Sequence, residues 1–464
     1  MGQSAWSPEL APGDGPMWRR LVDTLASDIE SGAIAAGARL PPQRTLAFQL
    51  GVSVGTVTRA YEEAERSGLV ISHVGRGTFV AERKSVPLSP VRSLQGPIDL
   101  ARNVPPIAPA LAQIQHTLDD LHRRGDLAAL VDYTPIAGLE VVREAGARWL
   151  SQVTGVKRAR AQRLIHVSGG QQALTLVCSS FARTGDPVLC DRATYPGNRT
   201  IAAHGGWNLH GVGSDGEGMD PEDLDRAAAE TGARLVIVIP TLHNPTTVTM
   251  SRKRRQEIVE VARKRDLLLI EDDIYRVFGN DDSLTPLAEL APERTIHIAS
   301  LSKALAPGLR LAFVLPPEDS AIEDRLLLGQ QALSFCPPAG GGLAFAQWME
   351  DGTAKVIVDQ VRAETGRRTA LAREILGTAM AEPPTSGSLH VWLPMAGDRA
   401  RKVAAAALRA GVEITPPDAP FGQGDEVDGL RVCLGAAMDI QQVEQALRVV
   451  RSAIDSGGQA RAIL

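Results

Sequence analysis

One lysine stands out for what surrounds it. The run Ile298-Ala299-Ser300-Leu301-Ser302-Lys303-Ala304-Leu305-Ala306-Pro307-Gly308-Leu309-Arg310 carries an apolar strand up to Ser300, a polar turn bearing the amine, and a Pro-Gly step to an arginine seven residues past the lysine. An amine at a strand end, set between hydroxyls and a guanidinium, suits condensation with a phosphorylated aldehyde. That chemistry needs further walls: a carboxylate for a ring nitrogen, a donor to a ring hydroxyl, a phosphate cup, a stacking ring and a cation for a substrate carboxylate.

Each wall has a candidate. The run Leu267-Leu268-Leu269-Ile270 reads as a buried strand ending in Glu271-Asp272-Asp273-Ile274-Tyr275, and ligands of open α/β sheets sit at the carboxyl ends of strands. Asp272 is the carboxylate, and Tyr275 is expected to donate to the ring hydroxyl. Asn244 follows the strand Leu235 to Ile239 in Pro240-Thr241-Leu242-His243-Asn244-Pro245 and offers an amide donor. The phosphate cup reads from Ser168-Gly169-Gly170-Gln171, between the strand Leu164 to Val167 and a helix from Ala173; Gly170 and Gln171 supply backbone donors at the helix start. Ser300 and Arg310 close the cup. Tyr195, in Thr194-Tyr195-Pro196-Gly197, is the stacker. Arg431, inside the apolar run Gly429 to Leu434, is the carboxylate anchor, since a buried guanidinium needs a partner. Plain alternatives stand beside these: a solvated acid cluster for Asp272, a core tyrosine for Tyr195, a structural ion pair for Arg431. The set together points to pyridoxal 5'-phosphate.

The elements that must hold these groups are the short apolar runs alternating with amphipathic helices from about residue 98 to the end, an α/β pattern. A different pattern precedes them. Leu21, Leu25 and Ile29 recur at helical spacing over Trp18 to Ser31; Pro41-Pro42 leads into a helix over Gln43 to Leu50; Gly51-Val52-Ser53 turns into a third helix over Val54 to Ser67. Leu69-Val70-Ile71 and Thr78-Phe79-Val80 then flank Gly75-Arg76-Gly77 as a hairpin. Helix, helix, turn, helix, hairpin is a winged helix-turn-helix, whose third helix enters the major groove of DNA. The expected organisation is therefore 14–82 as a DNA-binding domain, 83–97 as a linker broken by Pro87 and Pro90, and 98–464 as a cofactor-binding domain with a smaller α+β subdomain from about 340.

Composition bounds the partners. Charged residues are 22% and the net charge is −5. Residues 1–84 hold nine Lys and Arg against nine Asp and Glu, so DNA contact must come from a local patch. Cys178, Cys190, Cys336 and Cys433 form no CxxC pair, which reads as reduced thiols in cytoplasm with no metal site. No secretory leader and no 18-residue apolar run is seen, so no membrane span is expected.

Two resemblances follow. Gly37-Ala38-Arg39-Leu40-Pro41-Pro42-Gln43-Arg44-Thr45-Leu46-Ala47, Leu50-Gly51-Val52-Ser53, Thr56-Val57 and Gly75-Arg76-Gly77-Thr78-Phe79-Val80 closely resemble the GntR family of winged-helix repressors. The resemblance implies DNA contact by Arg44, Thr56, Thr58 and Arg59, with Arg76 in the wing. Where that family often has arginine after the serine opening the third helix, this chain has Val54 and Gly55. From about 98 to 450 the chain resembles fold-type-I aminotransferases, with Thr247 where glycine is usual. That resemblance also assigns Tyr133 to the phosphate of a neighbouring subunit, implying a homodimer. The fusion looks like the MocR subfamily of GntR regulators. It implies a transcription factor, acting on a double-stranded operator, that senses an amine or amino acid by aldimine exchange at Lys303, with Arg431 holding its carboxylate. The other reading is a working aminotransferase with a secondary head; a cofactor-storage protein has no feature of its own.

Overall fold

The computed structural model describes residues 6–8, 10, 15–35, 37–67, 69–73, 77–81, 96–279, 284–383, 385–422 and 425–457. The chain divides into two compact units, Met1–Gln95 and Gly96–Leu464.

In the first unit, helices α1 (Met17–Glu30), α2 (Gln43–Leu50) and α3 (Val54–Arg66) precede strands β1 (Val70–His73) and β2 (Gly77–Val80). The helix limits fall within one residue of those read from the spacing. Gly51 closes α2 at φ 64, a left-handed position that glycine takes without strain. The Ser53 hydroxyl accepts from Thr56 N at 3.1 Å and caps α3. Leu21, Leu25, Leu46, Val57, Tyr61 and Val80 share one buried core, so each helix buries one apolar stripe. Tyr61 Oη is satisfied by Pro41 O at 2.9 Å. The hairpin pairs Val70 with Val80 and His73 with Gly77.

The second unit begins with β3 (Ile98–Leu100) and is built on β4 (Ile165–Val167), α4 (Gly170–Phe181), β5 (Pro187–Asp191), β6 (Asn208–Val212), β7 (Leu235–Val238), β8 (Leu268–Asp272), β9 (Thr295–Ser300) and β10 (Ala312–Leu315). One seven-stranded sheet has the order β4-β10-β9-β8-β7-β5-β6. All pairings are parallel except those of β10, which runs against β9 and β4. The central strands β7, β9 and β10 are buried along their whole length, as sheets covered on both faces require. The carboxyl ends of β4, β5, β7, β8 and β9 therefore open on one edge.

A second layer carries β11 (His390–Pro394), β12 (Val412–Ile414), β13 (Gly429–Cys433) and α5 (Ile440–Asp455). β11 and β13 pair antiparallel, placing Trp392 opposite Arg431. β3 joins this layer by pairing parallel with β12. Its Leu100 lies in one core with Ala372, Val391, Leu430 and Leu447. Phe345, Trp348, Ile357 and Val361 pack in the core of the large sheet. The second layer thus draws on both ends of the unit. No helix among the described residues is long and apolar enough to cross a membrane.

Candidate functional site

A cavity of about 240 Å³ opens at the sheet edge. Gly170, Gln171, Tyr195, Asn244, Asp272, Tyr275, Ser300, Lys303 and Arg310 all line it. Nine positions chosen for chemistry, spread over 141 residues of chain, converge there because five parallel strands end together. A broader concavity of about 750 Å³ lies elsewhere, between Glu374 and Asp455. Its arginines Arg448 and Arg451 are paired with Glu444 and Asp455.

Asp272 is the last residue of β8 and is buried. The strand runs two residues further than the apolar run suggests, and the acids are not a solvated cluster. Glu271 can lie inside because Leu287 N, Ala288 N and His297 Nδ1 surround its carboxylate at 2.7–3.0 Å. Burial, then the neighbouring Asp273 charge, pushes Asp272 up to about 7. Its Oδ1 is buried with no hydrogen-bond partner among the described residues. A buried carboxylate oxygen facing a cavity calls for a donor from whatever fills it.

Lys303 follows β9 and is half-buried. Desolvation is the main cause that lowers its amine to about 8, with Arg431 and Arg310 adding to it and Asp272 opposing. Its Nζ donates to the carbonyl of Asn103. Tyr275 Oη accepts from Asn103 Nδ2 at 2.9 Å and from Asn244 Nδ2 at 3.2 Å. Tyr195 Oη donates to Gln171 Oε1 at 3.0 Å. A β-carbon at Gly197 would stand 2.1 Å from the Tyr195 ring, so glycine is what lets the ring lie there.

Helix α4 starts at Gly170, three residues before the apolar pattern does, so Gly170 and Gln171 sit in the first turn with N–H groups free of helical partners. Gly169 at φ 92 precedes them, and a β-carbon on it would lie 2.9 Å from the Arg310 guanidinium. A β-carbon on Gly170 would come 3.3 Å from Ser300 Cβ. Arg310, after β9, donates to Ser168 O at 2.9 Å. Backbone donors, a hydroxyl and a guanidinium thus surround a space that side chains at 169 and 170 would fill, which suits a phosphate.

Arg431 is buried and does not line the cavity. Its hydrogen-bond partners among the described residues are neutral: Asn244 Oδ1 at 2.7 Å, Thr415 Oγ1 at 3.1 Å and Ala101 O at 3.2 Å. The structural ion pair considered for it is not formed in that set. Tyr133 is also absent from the lining; it is 76% exposed and meets Phe335 edge-on at 4.9 Å.

Val104, Leu174, Ile239, Ile274, Ser302 and Pro307 complete the lining, and Asn103 adjoins it through its contacts with Lys303 and Tyr275. Asn103 carries no local signal: it lies in Arg102-Asn103-Val104-Pro105-Pro106, far in sequence from every partner.

In the first unit, Arg44 is exposed on α2. The Thr56 hydroxyl is shared with Ser53 Oγ at 2.8 Å. Thr58 Oγ1 lies 2.8 Å from Gln43 Oε1 and bonds Val54 O at 3.0 Å. The Arg59 guanidinium stacks 4.4 Å over the Trp18 ring. Arg44 is thus open to a phosphate, whereas Thr56, Thr58 and Arg59 are engaged within the unit. Arg76 lies outside the described residues.

Comparison with known proteins places these observations in context. Residues 95–450 match the aminotransferase class I and II family, and residues 18–80 match bacterial regulatory proteins of the gntR family. The chain is similar to an uncharacterized HTH-type transcriptional regulator, YdeF, of Bacillus subtilis, at 29% identity over 97% of each chain. It is 28% identical to the vitamin B6 salvage pathway transcriptional repressor PtsJ of Salmonella typhimurium, over 92% of this chain and 96% of that one. In fold it resembles the α-aminoadipate aminotransferase LysN of Thermus thermophilus, solved in complex with N-(5'-phosphopyridoxyl)-L-leucine. The TM-score is 0.70 at 23% identity, covering 78% of this chain and 93% of that one.

Proposed function

Because the chain belongs to the aminotransferase class I and II family and carries a gntR-type head, we propose that it is a transcriptional regulator of the MocR type whose second unit senses an amine or amino acid. Its cofactor is pyridoxal 5'-phosphate, which when bound supplies an aldehyde that links to an amine and a ring that withdraws electrons. The observation that carries the reading is the pairing, in one cavity, of the Lys303 amine with the buried, unpartnered Asp272 carboxylate.

The residues divide the work. Asp272 would accept from the ring nitrogen and keep its proton there. Asn244 and Tyr275 would donate to the ring hydroxyl, and Tyr195 would stack. Gly170, Gln171, Ser300 and Arg310 would hold the phosphate. An amine lowered to about 8 keeps roughly a tenth of Lys303 neutral at pH 7, enough to serve as a nucleophile. An effector's own amine would displace Lys303 at the aldehyde, and Arg431 would turn from its neutral partners to the effector's carboxylate. Tyr133, exposed on its own subunit, would reach the phosphate of a second copy, so a homodimer is part of the proposal.

A ligand shifts such a protein only by binding two conformations unequally. The test is a gel shift on the promoter of the protein's own gene, with and without cofactor and a panel of amines. A specific complex whose affinity changes with cofactor and one amine is expected; the absence of any specific complex rejects the reading. A working transaminase is the second reading, favoured by the same lowered Lys303 amine, which could also carry a proton. Sustained turnover with an α-keto acid acceptor would support it.

A further inference from the structure

Asn103 lies three residues past β3, on the stretch by which the second unit continues from residues 82–95. Its main-chain carbonyl accepts from Lys303 Nζ. Its side-chain Nδ2 lies 2.9 Å from Tyr275 Oη and 3.1 Å from His390 Nδ1. His390 Nε2 lies 3.3 Å from the His243 carbonyl. A carbonyl only accepts, so Nε2 carries the imidazole proton and Nδ1 is bare to receive Asn103. Burial, with the Arg431 charge, keeps that ring neutral by holding it down to about 3.

Two consequences follow. Asn103 and Asn244 occupy both lone pairs of Tyr275 Oη, and no acceptor among the described residues takes the Tyr275 proton. That proton is left to point into the cavity. The stretch holding Asn103 is also pinned by the effector side of the site. Ala101 O accepts from Arg431 Nη2 at 3.2 Å, Thr415 Oγ1 at 3.0 Å and Cys433 Sγ at 3.2 Å. A β-carbon on Gly435 would come 1.7 Å from Val104 O, so the backbone there is in tight contact.

We propose that Asn103 is a positioning residue that aims the Tyr275 proton at the cofactor, and that its stretch, Ala101–Val104, reports occupancy of the site to the chain leading back to the winged helix. The inference rests on the function proposed above. Once linked, the Lys303 nitrogen would keep at most one proton and direct it to the ring oxygen, so its hold on Asn103 O is lost. A carboxylate on Arg431 competes with Ala101 O. Loading the cofactor thus removes the first hold, and an effector that displaces Lys303 restores that hold but takes the second, while the Asn103 side chain keeps the stretch attached to Tyr275 and His390.

Two measurements on the full-length chain test this. The first is hydrogen exchange of residues 98–104 in protein free of cofactor, loaded with pyridoxal phosphate, and loaded then given amino acids. Exchange there is expected to rise several-fold on loading. The second is the pH midpoint of the bound cofactor's visible band in wild type and Asn103→Ala. The Tyr275 proton and the proton on the link nitrogen compete for the ring oxygen. Losing one donor onto Tyr275 weakens its hold, so the link nitrogen keeps its proton to higher pH. Because cooperative strengthening is on the order of 10–30% per bond, the rise should be about half a pH unit. Asp272, Arg310, His390, Arg431 and Cys433 also face Lys303, and all are common to both proteins. Asn103→Gln, which keeps the amide on a longer arm, should fall between the two. An unmoved midpoint overturns the positioning role, and unchanged exchange at 98–104 in a protein that shows the band overturns the relay. No band in wild type defeats the proposed function itself, and this inference with it.

Discussion

Replacing Asp272 by asparagine should stabilise the cofactor-free protein while weakening the loaded one. Asp272 is 5% exposed, and burial raises it from 3.8 to about 7. A carboxyl whose folded pKa lies above its unfolded value binds more protons in the native state between the two, so stability falls as pH rises from about 4 to about 7. Each unit is 1.36 kcal/mol, so the shift amounts to about 4 kcal/mol at pH 8 and about 1.5 kcal/mol at pH 5. Asparagine does not titrate and escapes this penalty. With unfolding entropy near 2.1 cal/mol/K per residue, the cofactor-free variant should melt about 3–5 °C above wild type at pH 8, with a smaller gap at pH 5. Titrating groups that do not feel the Asp272 charge cancel in the difference between the two proteins, whereas Asp273 and Lys303 shift with its removal. Loading should reverse the order, since the amide cannot provide the charge that a protonated ring nitrogen needs. Melting curves of both proteins, with and without pyridoxal phosphate at pH 5 and 8, decide it. A cofactor-free Asp272→Asn protein no more stable than wild type at pH 8 would refute the claim that this carboxylate is held at a penalty for a ligand.

Three further outcomes are expected. Lys303→Ala should abolish the visible absorbance of the loaded protein, read by spectroscopy after dialysis; a retained band would place the link elsewhere. Arg310→Ala removes a charge-assisted donor from the phosphate cup and should weaken cofactor retention by about 2–3 kcal/mol, or roughly 30- to 150-fold in equilibrium dialysis. Val54 is 44% exposed at the start of α3, so Val54→Arg should tighten binding to DNA and steepen the slope of log affinity against log salt by about 0.9, measured by fluorescence anisotropy.

The parts of the site legible in the sequence are those whose signal is local. Lys303, Ser300 and Arg310 lie in one run, and Asp272 and Tyr275 in another, each closing a recognisable apolar strand. Strand-end placement then brings the runs together, because parallel strands share one open edge. What was not legible spans the chain. The Lys303–Asn103 contact joins residues 200 apart, and the Arg431–Ala101 contact joins residues 330 apart. No periodicity records such pairs. In the head, the resemblance implies DNA contact by Thr58 and Arg59, and nothing in the sequence signals that these groups also meet Gln43 and Trp18 within the unit.

Thr247 shows how a departure from a family pattern can leave a site intact. It sits at φ 63, the left-handed region that favours glycine, and it is buried. A side chain there costs about 1–2 kcal/mol. The turn holds it nonetheless: Thr247 N donates to His243 O at 2.6 Å, and His243 N to Val248 O at 2.7 Å. His243 in turn lies 3.3 Å from Asp191 Oδ2 and 2.8 Å from Thr246 Oγ1. These bonds fix the loop that presents Asn244 between Tyr275 and Arg431. Glycine at 247 would relieve the left-handed strain but add about 1 kcal/mol of backbone entropy to the unfolded chain. The two terms nearly offset, so threonine can stand there without moving the amide.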